Sequence, residues 1–313
     1  MANQQATFGS KKIQAAMEYL MTYGWAILAV VIITIAFFQL GILSGWQFEP
    51  KANPGSCMVY RLNGPGTTTN INLEGLCQNQ LPEFVMRGFG VGDFVQVLGS
   101  STTASRLNIQ GNQITITAWV YILGSPFHDI VDKENQYGMK LDYNNLPHSC
   151  TQGNNPGLCL EWDTAGSWIG ESFPIPNGGF DKWMFLAVEE NGSNKYWFAN
   201  GALIGSATGG VPLTHASSNL SIGAISPGYS GYGEAEWFNG SISNVQIYNA
   251  SLSPSEIRQM YTNGIGAPPQ SLANLEGWWP LNGNANDYSG NLDNGKIYNN
   301  SYSGAWNNNY VVP

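Results

Sequence analysis

The sequence predicts a mainly β protein in which one long hydrophobic α-helix precedes a β-sandwich over residues 84–313. Three observations support this fold class. No residue from Tyr19 to Phe48 is ionisable at neutral pH, apolar residues alternate with others through NQITITAWVYI, and Asn-Gly pairs separate short apolar runs. The composition agrees, because 43% of the residues are hydrophobic and 12% are aromatic, enough for a globular core.

The apolar run is long enough to cross a membrane. A helix needs about 20 apolar residues to span the bilayer, whereas a cleaved secretory signal has about 7 to 15. We therefore predict a membrane helix over residues 14–48 at some stage of the protein's life. Lys11 and Lys12 precede the helix, and basic residues favour the cytoplasmic side. The rest of the chain is therefore expected outside the cell.

The start of this helix, KKIQAAMEYL, resembles the class III signal peptide of archaeal type IV pilin-like proteins. The resemblance implies a leader over residues 1–13, cleavage between Ile13 and Gln14, and Glu18 as the fifth residue of the mature chain. It further implies that such helices pack in a filament core, where Glu18 neutralises the terminal amine of a neighbouring subunit. Ile13 departs from the family pattern, in which glycine is more usual at that position.

A plain membrane anchor is the alternative interpretation of the same segment. An unpaired carboxylate among apolar helices is costly. In a filament, the amine of another copy would pair with Glu18, whereas in a plain anchor Glu18 would lie at the membrane interface beside Lys11 or Lys12. The first interpretation makes other copies of the chain its partners, and the second needs only the membrane.

Residues 49–83 are rich in Pro, Gly, Asn and Thr and are predicted to form a collar or linker. The chain has four cysteines, Cys57, Cys77, Cys150 and Cys159. Cysteines outside the cell normally form disulfides, and four of them allow three pairings. Neighbours in sequence favour Cys57 with Cys77 and Cys150 with Cys159. A metal site is disfavoured because no CxxC spacing or nearby histidine accompanies them.

From residue 84 onward the pattern is that of β-strands. In ITITAWVYI the residues Ile114, Ile116, Ala118, Val120 and Ile122 alternate with Thr, Trp and Tyr, which is the period of a strand. The pairs Asn191-Gly192 and Asn200-Gly201 are predicted to be hairpin turns that join three short strands. A sandwich of antiparallel strands buries such rows of aromatic residues economically.

One short helix is predicted in SPSEIRQMYTNG. Ser253 is the expected N-cap, Pro254 suits the first helical position, and Glu256 completes a capping box. Gly264 ends the helix. Ile257 and its apolar neighbours form one side that can lie on the sandwich.

This helix and the strand before it, in WFNGSISNVQIYNASLSPSEIRQMYTNG, together with ITITAWVYI upstream, resemble the laminin G-like branch of the concanavalin A-like lectin and glucanase superfamily. The resemblance covers roughly residues 84–265. It implies a jelly-roll sandwich of two antiparallel sheets.

The tail contains a sequence motif that such domains normally have at their beginning. WWPLNGNANDYSGN resembles the first strand and loop of the family, yet it lies near the end of this chain. We therefore predict a circular permutation, in which residues 275–313 return to the sandwich, take the place of its first strand and bury Trp278 and Trp279. The competing idea, a second repeat cut short, would leave both tryptophans exposed beside an unpaired strand edge.

Enzyme and nucleic-acid functions are disfavoured. Glucanases of this fold carry alternating carboxylates on one strand, but no E-x-D-x-E occurs here, and the nearest pair, Glu234 and Glu236, lacks a third member. We expect no enzymatic activity. The net charge of −9, with twelve Lys and Arg that cluster only at Lys11 and Lys12, argues against binding to nucleic acid.

Two candidate binding sites remain. Carbohydrate binding needs exposed aromatic rings beside polar groups, and CLEWDTAGSWIGES offers Trp162, Asp163 and Trp168; the alternative is that these tryptophans belong to the core. By resemblance, Asp287 could hold Ca²⁺ together with loop carbonyls. Equally, Asp287 could accept hydrogen bonds only from its own turn.

Together these features predict the structural subunit of an extracellular type IV pilus-like filament with a lectin-like, adhesive head. The alternative is a single-pass, membrane-anchored, lectin-like surface protein that does not polymerise. Surface glycans are a candidate partner in both cases. Glycosylation is also predicted, because five N-x-S sequons occur, at Asn191, Asn219, Asn239, Asn249 and Asn299.

Overall fold

The chain divides into two compact units, Met1–Pro50 and Lys51–Pro313. The computed structural model describes residues 23, 25–32, 60–61, 71–72, 84–88, 92–124, 127–143, 158–164, 171–177, 179–225, 237–298 and 301–304. In the first unit, residues 25–32 are helical and are called helix α1. The side chains of Trp25 and Ile27 in this helix are 69% and 65% exposed.

The long hydrophobic helix predicted over residues 14–48 lies largely outside the described residues. Within the part of the chain that the structure describes, no helix has both the length and the apolar character needed to cross a membrane. The residues of the predicted cleavage and assembly motif, Lys11, Lys12, Ile13, Gln14 and Glu18, are also outside it.

The predicted collar contains a short antiparallel ladder. Strand β1 (Tyr60–Arg61) pairs with strand β2 (Ile71–Asn72). Cys57 and Cys77 lie outside the described residues, so their pairing stays a prediction.

The rest of the second unit is a sandwich of two antiparallel β-sheets, as predicted. One sheet has eight strands: β3 (Phe84–Gly88), β5 (Gln113–Ile122), β10 (Trp183–Asn191), β11 (Asn194–Ala199), β12 (Ala202–Thr208), β14 (Gly240–Tyr248), β15 (Leu275–Trp279) and β17 (Ser301–Gly304). The other has seven: β4 (Phe94–Val97), β6 (Phe127–Lys133), β7 (Tyr137–Tyr143), β8 (Leu158–Thr164), β9 (Glu171–Pro174), β13 (Leu220–Ile222) and β16 (Gly295–Tyr298). The eight-stranded sheet runs β12-β11-β10-β5-β14-β3-β17, with β15 also on β14, and the seven-stranded sheet runs β16-β4-β13-β6-β7-β8-β9.

Alternation along the strands separates the core from the outer faces. In β5, Ile114, Ile116 and Val120 enter the core between the sheets, while Trp119 and Tyr121 lie on the opposite face. The predicted hairpins are confirmed, because β10, β11 and β12 pair in sequence order. Gly192 begins the first turn with φ 67°, which glycine adopts without a steric cost.

The outer face of the eight-stranded sheet is covered by a second apolar layer. Its buried residues include Trp119, Phe185 and Trp278, and helix α2 (Pro254–Asn263) adds Ile257 to the same cluster. The predicted caps of this helix are confirmed, because the Ser253 side chain and Glu256 form a capping box, Pro254 is in the first turn, and Gly264 is the C-cap. This sheet therefore has apolar layers on both faces.

The tail packs into the same sandwich. Strand β15 pairs with β14, β16 with β4, and β17 with β3, so the tail extends both sheets. Trp279 is fully buried between the sheets, and Trp278 is buried in the outer layer. Trp278 donates its indole N–H to Asn244 Oδ1 at 2.7 Å. The interpretation of this arrangement as a circular permutation stays a prediction.

Candidate functional site

The outer face of the seven-stranded sheet carries a row of polar residues, here called the polar row. Val95, Val97 and Val131 belong to the core between the sheets, so the neighbouring strand positions point away from it. Cross-strand pairing joins six such positions: Lys296 of β16, Gln96 of β4, Ser221 of β13, Asp132 of β6, Gly138 of β7 and Asp163 of β8. At about 4.8 Å between strands, the five steps extend about 24 Å across the sheet.

The middle of the polar row is shielded from solvent. Ser221 and Asp132 are 0% and 3% exposed, and Gln96 is 9% exposed. Neighbouring side chains close over Gly138, since a Cβ atom there would lie only 3.2 Å from Asp132 Oδ1 and 3.4 Å from Lys140 Cε. The groups that a ligand in solution can reach are therefore at the two ends of the row.

One end, here called the charged end, is built around Lys140. Its ammonium lies 3.2 Å from Asp163 and 3.6 Å from Asp129. Glu161 is the cross-strand partner of Lys140. Burial raises the pKa of Asp163, and the opposing charge of Lys140 and a hydrogen bond with Glu161 partly offset this rise. The side chains of Lys140 and Asp163 remain 20% and 14% exposed, so both can meet a ligand.

The other end, here called the aromatic end, is built by strands β4 and β16. Phe94 and its strand partner Tyr298 stack with ring centroids 4.6 Å apart and planes 4° from parallel. Trp237 lies 5.5 Å from Phe94 at an angle of 43°. The ammonium of Lys296 lies 4.7 Å from the centre of the Tyr298 ring, within the range of a cation–π interaction. Trp237 and Tyr298 are partly exposed, and Lys296 is exposed.

The sugar site predicted around residues 162–168 needs correction. Trp162 is fully buried in the core between the sheets, so its ring is not offered to a ligand. The alternation along β8 explains why, because Trp162 and its neighbour Asp163 point to opposite faces of the sheet. Trp168 lies outside the described residues. Cys159 is disulfide-bonded, and its partner also lies outside the described residues.

Most residues of this face were not predicted as site residues. Glu161 and Asp163 are alternating carboxylates on one strand, in LCLEWDT, and they match the first two acidic positions of E-x-D-x-E. Glu234 and Glu236, the pair chosen from the sequence, lie outside the described residues. The E-x-D spacing was visible in the sequence. The pairing with Lys140 and Asp129 was not, because it depends on the register of three strands.

Asp287 is fully buried and is engaged by its own turn. Oδ1 accepts the backbone N–H groups of Trp278 and Ser289, both at 2.9 Å. Oδ2 accepts the Ser289 hydroxyl at 2.7 Å and the Asp293 N–H at 3.1 Å. Three of these four hydrogen bonds come from the loop that follows Asp287, and the fourth comes from Trp278 in strand β15, so Asp287 does more than stabilise its own turn. Calcium binding at Asp287 stays a prediction.

No cluster of three or more His, Cys, Asp or Glu side chains in the described ranges is arranged to hold a metal ion. The sequons at Asn191, Asn219, Asn239 and Asn249 all lie at strand ends, while Asn299 is outside the described residues.

Comparison with known families identifies the domain. The family model described as the concanavalin A-like lectin/glucanases superfamily matches residues 98–258, which is just over half of the chain. This chain belongs to that superfamily, in agreement with the resemblance found in its sequence. A search of curated proteins finds no match.

Several solved structures are similar to this chain. A Bacteroides ovatus protein assigned provisionally to carbohydrate binding aligns at 14% identity with a TM-score of 0.53, over 72% of this chain and 61% of its own length. A heptameric pentraxin from Limulus polyphemus aligns at 14% identity and a TM-score of 0.43, over 60% of this chain and 85% of its own. A sialidase carbohydrate-binding module from Ruminococcus gnavus, solved with sialyllactose, aligns at 17% identity and a TM-score of 0.38, over 57% of this chain and 97% of its own. At 14% identity, the similarity to the Bacteroides ovatus protein shows a common fold and nothing more specific.

Proposed function

We propose that this chain is a cell-surface protein that binds carbohydrate on the outer face of its seven-stranded sheet. The polar row carries the proposal, because it has partly exposed rings at one end and ion-paired charges at the other. Aromatic rings pack on the apolar faces of sugars, and carboxylate and ammonium groups form hydrogen bonds with sugar hydroxyls. On the eight-stranded sheet, the outer face is instead covered by the second apolar layer.

The charges of the site favour neutral sugars over acidic ones. The charged end and the adjoining row hold four carboxylates: Asp129, Asp132, Glu161 and Asp163. Three ammonium groups act on them, because Lys140 is ion-paired here, Lys195 acts on Asp163 and Lys133 interacts with Asp132. The carboxylates are more numerous than the ammonium groups, and they repel sialylated or sulfated glycans. We expect binding without hydrolysis, to uncharged sugars that contact the accessible ends of the row.

A glycan array probed with the full chain in mild detergent tests this proposal. Trp237→Ala removes a ring from the aromatic end, and Asp163→Asn removes the charge paired with Lys140. Each is expected to weaken binding at least about tenfold, the equivalent of about 1.4 kcal/mol. Phe180→Ala is the matched control, because it removes a ring that is 37% exposed outside the polar row. Retention of full binding by both site variants would refute the proposal, provided that all variants unfold at the same temperature as the parent.

We also propose that the chain is anchored in the membrane through its amino-terminal helix and assembles into type IV pilus-like filaments. The motif KKIQAAMEYL supports this second role, and so do the exposed apolar side chains of helix α1, which need a lipid or protein environment. A mature chain that begins at Gln14, together with filaments labelled by an antibody against the sandwich, is the expected result. An unprocessed chain and a cell surface without labelled filaments would favour the non-polymerising anchor.

A further inference from the structure

We infer that, of the four sequons in the part of the chain that the structure describes, the one at Asn191 carries an N-linked glycan; this inference rests on the cell-surface location proposed above. A sequon is used only where two groups are reachable. The asparagine Nδ2 must point to solvent because the sugar is attached to it, and the hydroxyl two residues later must be open to the transferring enzyme. The four described sequons differ sharply in these two respects.

Asn191 meets both requirements. It is the last residue of β10 and is exposed, and Gly192 and the exposed Ser193 form the two-residue turn that follows. The side-chain oxygen of Asn191 accepts a hydrogen bond from Gln113 Nε2 at 3.2 Å. Its Nδ2 makes no hydrogen bond to any described residue. Asn191 and Ser193 are therefore both exposed where the hairpin of β10 and β11 turns.

Asn249 fails because both of its groups are engaged. Asn249 is exposed, but its Nδ2 donates to Glu276 Oε1. The sequon hydroxyl, on Ser251, donates to Glu189 Oε1. Attachment of a sugar would replace one of the two Nδ2 hydrogens and crowd the contact with the buried Glu276 carboxylate.

Asn239 and Asn219 fail because their sequon hydroxyls are buried. Asn239 donates its Nδ2 to the carbonyl of Gly124 at 2.9 Å, and Ser241 is only 2% exposed. In the Asn219 sequon, the hydroxyl belongs to Ser221, which is 0% exposed within the polar row. A glycan at either position would be crowded against the folded sheet.

The reaction at Asn191 requires a lipid-linked sugar phosphate as donor. The bond between Nδ2 and the anomeric carbon forms as the bond from that carbon to the phosphate oxygen breaks. The lipid phosphate leaves with the electron pair, and the amide proton passes to a base of the transferring enzyme. Ser193 is a positioning residue in this step, so Ser193→Thr is expected to preserve it and Ser193→Ala to abolish it.

Mass spectrometry of peptides from the full chain, purified from its native cells, tests the inference. The expected result is a sugar on the peptide that contains Asn191, lost in Asn191→Gln and Ser193→Ala, kept in Ser193→Thr, and unaffected in the matched variant Asn249→Gln. A bare Asn191 on a chain that external protease digests on intact cells would overturn the inference and leave the surface location standing. A chain that external protease cannot reach would refute the surface location and the glycan together.

Discussion

Removal of the tail after Asn274 should unfold the sandwich. The deletion takes away strands β15, β16 and β17, which pair with β14, β4 and β3. It also removes five large apolar side chains that are at most 6% exposed: Leu275, Trp278, Trp279, Leu281 and Tyr288. Burial of each such side chain stabilises a fold by about 1.5–3 kcal/mol, so the loss is about 8–15 kcal/mol. The net stability of a typical domain is about 5–15 kcal/mol.

A pair of point variants tests the same reasoning without deleting a strand. Trp279 is fully buried between the sheets, and Trp279→Ala should cost about 3–5 kcal/mol. Leu292 belongs to the same tail but is 59% exposed, so Leu292→Ala should change stability by less than about 0.5 kcal/mol. Urea unfolding of the full chain in mild detergent, followed by circular dichroism, measures both changes. A truncated chain that unfolds at the parent's urea midpoint, or equal costs for the two variants, would refute the structural role assigned to the tail.

Two further predictions concern Glu190 and helix α2. Burial raises the pKa of Glu190 to about 7, and the charge of Lys195 partly offsets this rise. The folded state therefore binds the Glu190 proton more tightly than the unfolded state does. The stability that this proton contributes is complete below about pH 4.5 and is lost as the pH rises through 7. Between pH 5 and 8 the unfolding free energy of the parent should therefore fall by about 1–3 kcal/mol more than that of Glu190→Gln. Thermal melts across that range measure this difference, and the same pH dependence in both chains would contradict the prediction. Ser253→Ala removes the N-cap of helix α2 and should lower the unfolding free energy by about 1 kcal/mol, whereas Ser255→Ala, a serine in the first turn, should have a smaller effect in the same urea titration.

Local chemistry made several elements predictable from the sequence. The capping box of helix α2 is contained in four consecutive residues, and the hairpin turns are contained in Asn-Gly pairs. Alternation in β5 correctly separated Ile116 from Trp119. In each case the residues that decide the structure are neighbours in sequence.

The candidate site was much harder to predict, because its residues meet only through strand pairing. Lys140 on β7 meets Asp129 on β6 and Asp163 on β8. The aromatic end joins Phe94 to Tyr298, which lies about 200 residues later in the chain. Trp162 and Asp163 were predicted to share one site, but alternation along β8 places neighbouring residues on opposite faces, and the sequence alone does not say which of them faces the core. That choice depends on the partner sheet, and it placed the tryptophan inside.

The position of β3 has a mechanical consequence. This strand is the first of the sandwich in the chain, and it is hydrogen-bonded on both flanks, to β14 through Gly240–Ile242 and to β17 through Ser301–Gly304. A pulling force that enters through the residues before Phe84 must therefore detach two ladders before the strand can peel away. If the amino-terminal segment anchors the protein as proposed, strand β17 helps to hold β3 in the sheet against a pull from that side.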